Sequence, residues 1–102
     1  MVILYLTCAN DREAKKIGNA LLEARLVTCV RQSPVVSSYW WDGKINHDDE
    51  ILLMMESLED KFDSIEVIVT KLHSHDEYVL TAVPVLETTP GVEKWLNETL
   101  NS

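Results

Sequence analysis

Two stretches of the chain, Val2–Leu6 and Ile51–Met55, carry no charged side chain. Each has the length of a strand and is bounded by more polar sequence. Successive side chains of a strand point to opposite faces of its sheet. Leu4 and Leu6 therefore cannot share a face with Ile3 and Tyr5, and Leu52 and Met54 oppose Ile51, Leu53 and Met55. A sheet with helices on one face and water on the other should alternate apolar and polar. These strands do not alternate, so both faces of the sheet need a cover near its centre.

The rest of the chain supplies the other elements. Asn10 is a good N-cap, Glu13 completes a capping box, and Ala14, Ile17, Leu21 and Ala24 form an apolar stripe. Thr28–Trp41 is β-branched and aromatic, with Pro34 fitting an edge strand or a bulge. Asp42-Gly43 suits a two-residue type I′ turn, and a strand returns over Lys44–Glu56. Ser57, with Asp60, is the expected cap of a second helix carrying Phe62, Ile65, Val69 and Leu72. A polar stretch, His73–Glu77, precedes a last strand over Tyr78–Leu86. Thr89-Pro90 is the expected start of a closing helix with Val92, Trp95, Leu96 and Leu100.

The order is β-α-β-β-α-β plus a C-terminal helix, an α+β, ferredoxin-like plan with a four-stranded antiparallel sheet. Residues 1–102 are expected to form a single domain. In this plan the first and third strands are central, and those are the two that fail to alternate. The closing helix is too short to cover the second face, which leaves another copy of the chain as the natural cover in a symmetric oligomer. Trp40 and Trp41 are neighbours on a strand, so at least one lies outside the helix-covered core. An exposed tryptophan near a hairpin tip is typical of an interface. Shielding of the hairpin alone is the plainer alternative.

Charge narrows the partners. The formal net charge is −8, and the nine Lys and Arg are scattered. Such a surface repels a phosphate backbone and attracts cations. Nucleic acid is not an expected partner, and divalent metals are. No run approaches the roughly 20 apolar residues of a membrane span, and no basic leader precedes Val2. A cytoplasmic location and no membrane partner are expected. Cys8 and Cys29 lie on strands separated by a third, about 9.6 Å apart, beyond the ~7 Å reach of a disulfide.

The densest donor set is His73, His75, Asp76 and Glu77. Imidazole and carboxylate suit copper, zinc or nickel, but a solvated loop after a helix explains the same residues. Cys29 is a candidate soft ligand, or else a small buried hydrophobe. His47-Asp48-Asp49-Glu50 reads first as a solvated face, with weak attraction of cations as the alternative. No G-x-S-x-G, H-E-x-x-H or P-loop occurs, so no enzymatic activity is expected.

Tyr39-Trp40-Trp41-Asp42-Gly43-Lys44-Ile45 resembles the YWW-x-GK-I hairpin of the CutA divalent-cation tolerance family. Leu21-Leu22-Glu23, Arg25–Val30, Glu50–Leu53, Leu72-His73, Ala82–Val85 and Trp95-Leu96 resemble further family segments in the right order. The resemblance spans essentially the whole chain. It implies a ferredoxin-like subunit in a tight homotrimer with hairpins reaching between neighbours, so that Tyr39, Trp40 and Trp41 become interface residues. It also implies tolerance to, and binding of, divalent cations such as copper or zinc, and in animals the anchoring of a protein partner. One segment departs. Where the family usually has HPYE-x-PE, this chain has His73-Ser74-His75-Asp76-Glu77-Tyr78-Val79, so any site built on that tyrosine and glutamate is altered. The expected function is a trimeric cation-tolerance protein with His73, His75, Asp76 and Cys29 as metal ligands. The alternative is a trimeric scaffold or signalling module that takes an unidentified protein or small ligand at subunit clefts.

Overall fold

A computed structural model describes residues 1–101. The elements are β1 (Val2–Cys8), α1 (Asp11–Glu23), β2 (Cys29–Trp41), β3 (Lys44–Ser57), a 3-10 turn (Glu59–Lys61), α2 (Phe62–Leu72), β4 (Leu80–Pro84) and α3 (Val92–Leu100). The four strands form an antiparallel sheet in the order β2-β3-β1-β4. This is the ferredoxin-like arrangement, with β1 and β3 central. No helix among the described residues is long and apolar enough to cross a membrane.

Register divides the central strands cleanly. Leu4 opposes Met55, and Leu6 opposes Leu53. These four, with Val2 and Cys8, are buried with Ala14, Ile17 and Leu21 of α1 and with Ile65 and Val69 of α2. The intervening positions, Tyr5 opposite Met54 and Thr7 opposite Leu52, lie on the other face. Tyr5 there is 37% exposed.

Pairing of β1 with β3 stops at Cys8 opposite Ile51. Pairing of β2 with β3 continues to Trp41 opposite Lys44. The far half of this hairpin therefore extends past β1 as a two-stranded arm. Asp42 and Gly43 turn its tip with φ of 52° and 72°, as a type I′ turn requires. Pro34 sits on β2, an edge strand, where its missing N–H interrupts no inner ladder.

Four local expectations are corrected. Ser57 is the last residue of β3, fully buried, and its hydroxyl donates to the Leu26 carbonyl at 2.5 Å. It therefore caps no helix, and α2 starts without a side-chain cap. Gly91, at φ 90°, holds the N-cap of α3 in place of Thr89. Ala24 is the exposed C-cap residue of α1 and adds nothing to its buried stripe. The last strand is also shorter than expected, at Leu80–Pro84.

Candidate metal centre and adjoining groove

The end of β1, the start of α1 and the end of α2 meet at one point, because the two helices run back antiparallel to the strands that precede them. Asn10 caps α1 by accepting the Glu13 N–H at 2.9 Å. The Glu13 side chain does not return the bond to Asn10. One of its oxygens accepts the Ala9 N–H at 2.6 Å, and the other accepts the Ser74 N–H at 2.5 Å. Glu13 thus ties the β1–α1 connection to the α2–β4 connection. Burial acts to raise its pKa, but the amides of Ala9 and Ser74, the Ser74 side chain and nearby His73 outweigh burial and hold the carboxyl below its ordinary value.

His73 follows α2, and its side chain is only 2% exposed. Its Nε2 donates to the Thr7 carbonyl at 2.9 Å, and its Nδ1 accepts the His75 N–H at 3.1 Å. In these two bonds Nε2 is the donor nitrogen and Nδ1 the acceptor. Tyr78 stacks on the ring at 5.0 Å, and Glu13 Oε2 lies 4.0 Å from Nε2. Cys8 is fully buried beside them. Burial first, then the charges of Glu13 and Glu50, push its thiol up to about 12, so it stays protonated.

One donor atom from each of Cys8, Glu13 and His73 lies within 4.8 Å of the other two. Sulfur, imidazole nitrogen and carboxylate oxygen suit a borderline-soft divalent cation. The imidazole and carboxylate are already hydrogen-bonded. Each such bond is worth about 1 kcal/mol net, against roughly 10 kcal/mol or more for zinc in a structural site. The set therefore fits a cation chemically, and filling it requires local rearrangement.

The four ligands expected from sequence do not form one set within the subunit. His75 lies against His73, with ring centroids 5.7 Å apart. Asp76 is exposed on the same loop and lines neither the cluster nor the groove described below. Cys29 pairs with Glu56 at the opposite end of the sheet, five residues along β3 from Ile51, which faces Cys8. That is about 17 Å of strand, so the cysteine beside His73 is Cys8. Neither cysteine forms a disulfide.

Beside the cluster a groove of about 720 Å³ runs between the arm and the loop after α2. Tyr39, Trp41, Asp48 and Glu50 line it from the arm, and His75 and Glu77 line it from the loop. No Lys or Arg lines it, so its field favours cations. The Tyr39 hydroxyl donates to Asp48, a bond that raises the Tyr39 pKa. Trp41 is 57% exposed and its neighbour Trp40, which also borders the groove, 72% exposed. His47 is turned away from the groove and pairs with Ser38 at 2.7 Å.

Glu13 and Cys8 escaped notice as ligands for one reason. Glu13 reads locally as a capping residue, and its link to Ser74 spans 61 positions. The signal was topological: this fold sets the start of the first helix beside the end of the second.

Residues 2–99 match the family model for CutA1, the CutA1 divalent ion tolerance protein. The chain is 33% identical over 95 residues to the Protein CutA homolog of Xenopus laevis, an alignment covering 92% of this chain and 63% of the frog protein. The chain thus spans less than two thirds of that relative's length. It is 30% identical over 97 residues to the divalent-cation tolerance protein CutA of Archaeoglobus fulgidus, covering 95% of each. The solved structure of the A. fulgidus protein, described as a periplasmic divalent cation tolerance protein, superposes with a TM-score of 0.94 at 29% identity over 97% of each chain.

Proposed function

The chain belongs to the CutA1 divalent ion tolerance family, and from this premise we propose that it acts as a homotrimer that binds divalent cations, copper or zinc among them, without catalysing a reaction. The observation that carries the reading is the groove: imidazole and carboxylates line it, no basic residue does, and it opens on the uncovered face of the central strands. His75 is the exposed imidazole there, and Asp48, Glu50 and Glu77 supply charge. Carboxylates open to water and a single exposed imidazole imply modest affinity.

Assembly is supported by the arm. An isolated two-stranded hairpin is marginal in water, and this one presents Val36, Trp40, Trp41 and Ile45 to solvent. Neighbouring copies would cover both the arm and the open sheet face. The expected cytoplasmic location stays part of this proposal, while the A. fulgidus relative is described as periplasmic.

A second reading takes support from the groove's size, which lies in the range of small-ligand sites. On it the trimer is a scaffold or signalling module for a small ligand or an unidentified protein. Native mass spectrometry of wild-type protein and of a His75→Ala, Glu77→Gln variant, each with Zn²⁺ or Cu²⁺, separates the two. Discrete metal adducts on a trimer, lost in the variant, support the cation reading. Trimers with only diffuse adducts in both favour the scaffold.

A further inference from the structure

We propose that the groove between the arm and the loop after α2 binds a linear organic polycation, a diamine or longer polyamine, in a box of aromatic rings and carboxylates. The proposal rests on the reading of the groove as a cation site and adds a class of cation that fits the groove along its whole length.

The walls set this groove apart from a merely acidic surface. Tyr39, Trp40 and Trp41 line it from the arm, and Tyr78 lines it from the opposite side. Both tyrosines are held in place. The Tyr39 hydroxyl donates to Asp48. The Tyr78 ring stacks on His73, and its hydroxyl bonds with that of Thr70. Aromatic faces attract ammonium groups and bury the methylenes that join them. A hydrated metal ion has no methylenes to bury.

The carboxylates are spaced rather than gathered. Asp48 and Glu50 stand two residues apart on one face of β3, about 7 Å along the strand. Glu77 faces them from the loop. Among the described residues, the only three His, Cys, Asp or Glu donors within 4.8 Å of one another are Cys8, Glu13 and His73. A single ion in the groove therefore meets its carboxylates in pairs at most. A chain with an ammonium every three or four carbons meets all of them at once, with its methylenes lying against the rings. No Lys or Arg lines the groove to compete for these carboxylates, and the net charge of −8 draws a polycation toward the protein.

The test is isothermal titration of the assembled, full-length protein with spermidine, in EDTA so that no divalent ion contributes. The expected result is saturable binding of one molecule per subunit, with a change in tryptophan fluorescence from Trp40 and Trp41. Butylamine, a single ammonium, should bind at least several-fold more weakly. So should hexaamminecobalt(III), a compact cation with the charge of spermidine and no carbon chain. Asp48→Asn combined with Glu77→Gln should weaken spermidine binding at least several-fold. Both residues are exposed, so the subunit should melt as the wild type does. Equal affinity for spermidine and hexaamminecobalt(III), or spermidine binding unchanged in the double variant, overturns the proposal, because charge alone or another surface then accounts for it. Absence of spermidine binding also overturns it, as when a basic side chain of a neighbouring copy fills the groove. A parallel titration with Zn²⁺ and Cu²⁺ without EDTA keeps the two readings apart: metal bound where spermidine is not leaves the divalent reading standing, and neither bound overturns both.

Discussion

The two faces of β1 are built from one apolar run and meet opposite surroundings. Leu4 and Leu6 are essentially inaccessible, locked against Met55, Leu53 and the two helices. Tyr5, between them, is 37% exposed and paired with Met54 on a face that no helix of the central layer covers. Burial of the first face drives the subunit to fold. The second face contributes nothing comparable inside one subunit, yet its sequence is as apolar as the first. A chain gains from such a face when something else buries it. The comparison separates what the sequence invests in the subunit from what it invests in assembly.

Substitutions on the two faces should therefore fail differently. The largest effect belongs to Leu6→Ala on the covered face, which should cost about 2–5 kcal/mol of subunit stability, read by urea denaturation. An equal loss from Tyr5→Ala in monomeric protein would erase the distinction. Trp41→Ala, on the open side of the arm, should weaken assembly by about 2 kcal/mol or more while the far-UV spectrum stays unchanged. Sedimentation across a dilution series checks this, and unchanged mass and melting would remove Trp41 from the interface.

Glu13→Gln should cost about 1–3 kcal/mol, by weakening the bonds that tie the two connections together at the top of the covered face. The sign with pH follows from the depressed carboxyl. Its stabilisation is fully present above the unfolded value of about 4.3 and disappears as pH falls through the lower folded value. Wild-type stability measured from pH 7 down to pH 3 should fall on the acid side, and the variant's curve should be flatter there. The smallest effect is Gly43→Ala at the arm tip, where φ is 72°. It should cost about 1 kcal/mol and add to the Leu6→Ala loss, because the two sites share no partner.

Much of this arrangement was legible in the sequence, and the exceptions share a cause. The strands, the turn at Asp42-Gly43 and the two-sided centre follow from periodicity and local turn chemistry. Ser57 failed as a cap because its hydroxyl finds the Leu26 carbonyl, a partner 31 residues away. Thr89 failed because the chain turns through Gly91 with positive φ just before α3. At the candidate site the segment around His73 was visible, since imidazoles and carboxylates cluster there in sequence. Cys8 and Glu13 were not, because their connection to it exists only after helices and strands have packed. Cys29 was the cysteine expected as a ligand, and the register places it at the far end of the sheet from His73.

The account rests on the open face being covered by copies of the same chain. Analytical ultracentrifugation of tag-free protein at low micromolar concentration tests it directly, comparing wild type with Tyr5→Asp. The account predicts a trimer for the wild type and a folded, smaller species once a charge is placed on that face. A wild-type protein that sediments as a monomer, with Tyr5 and Trp41 left in water, would contradict it.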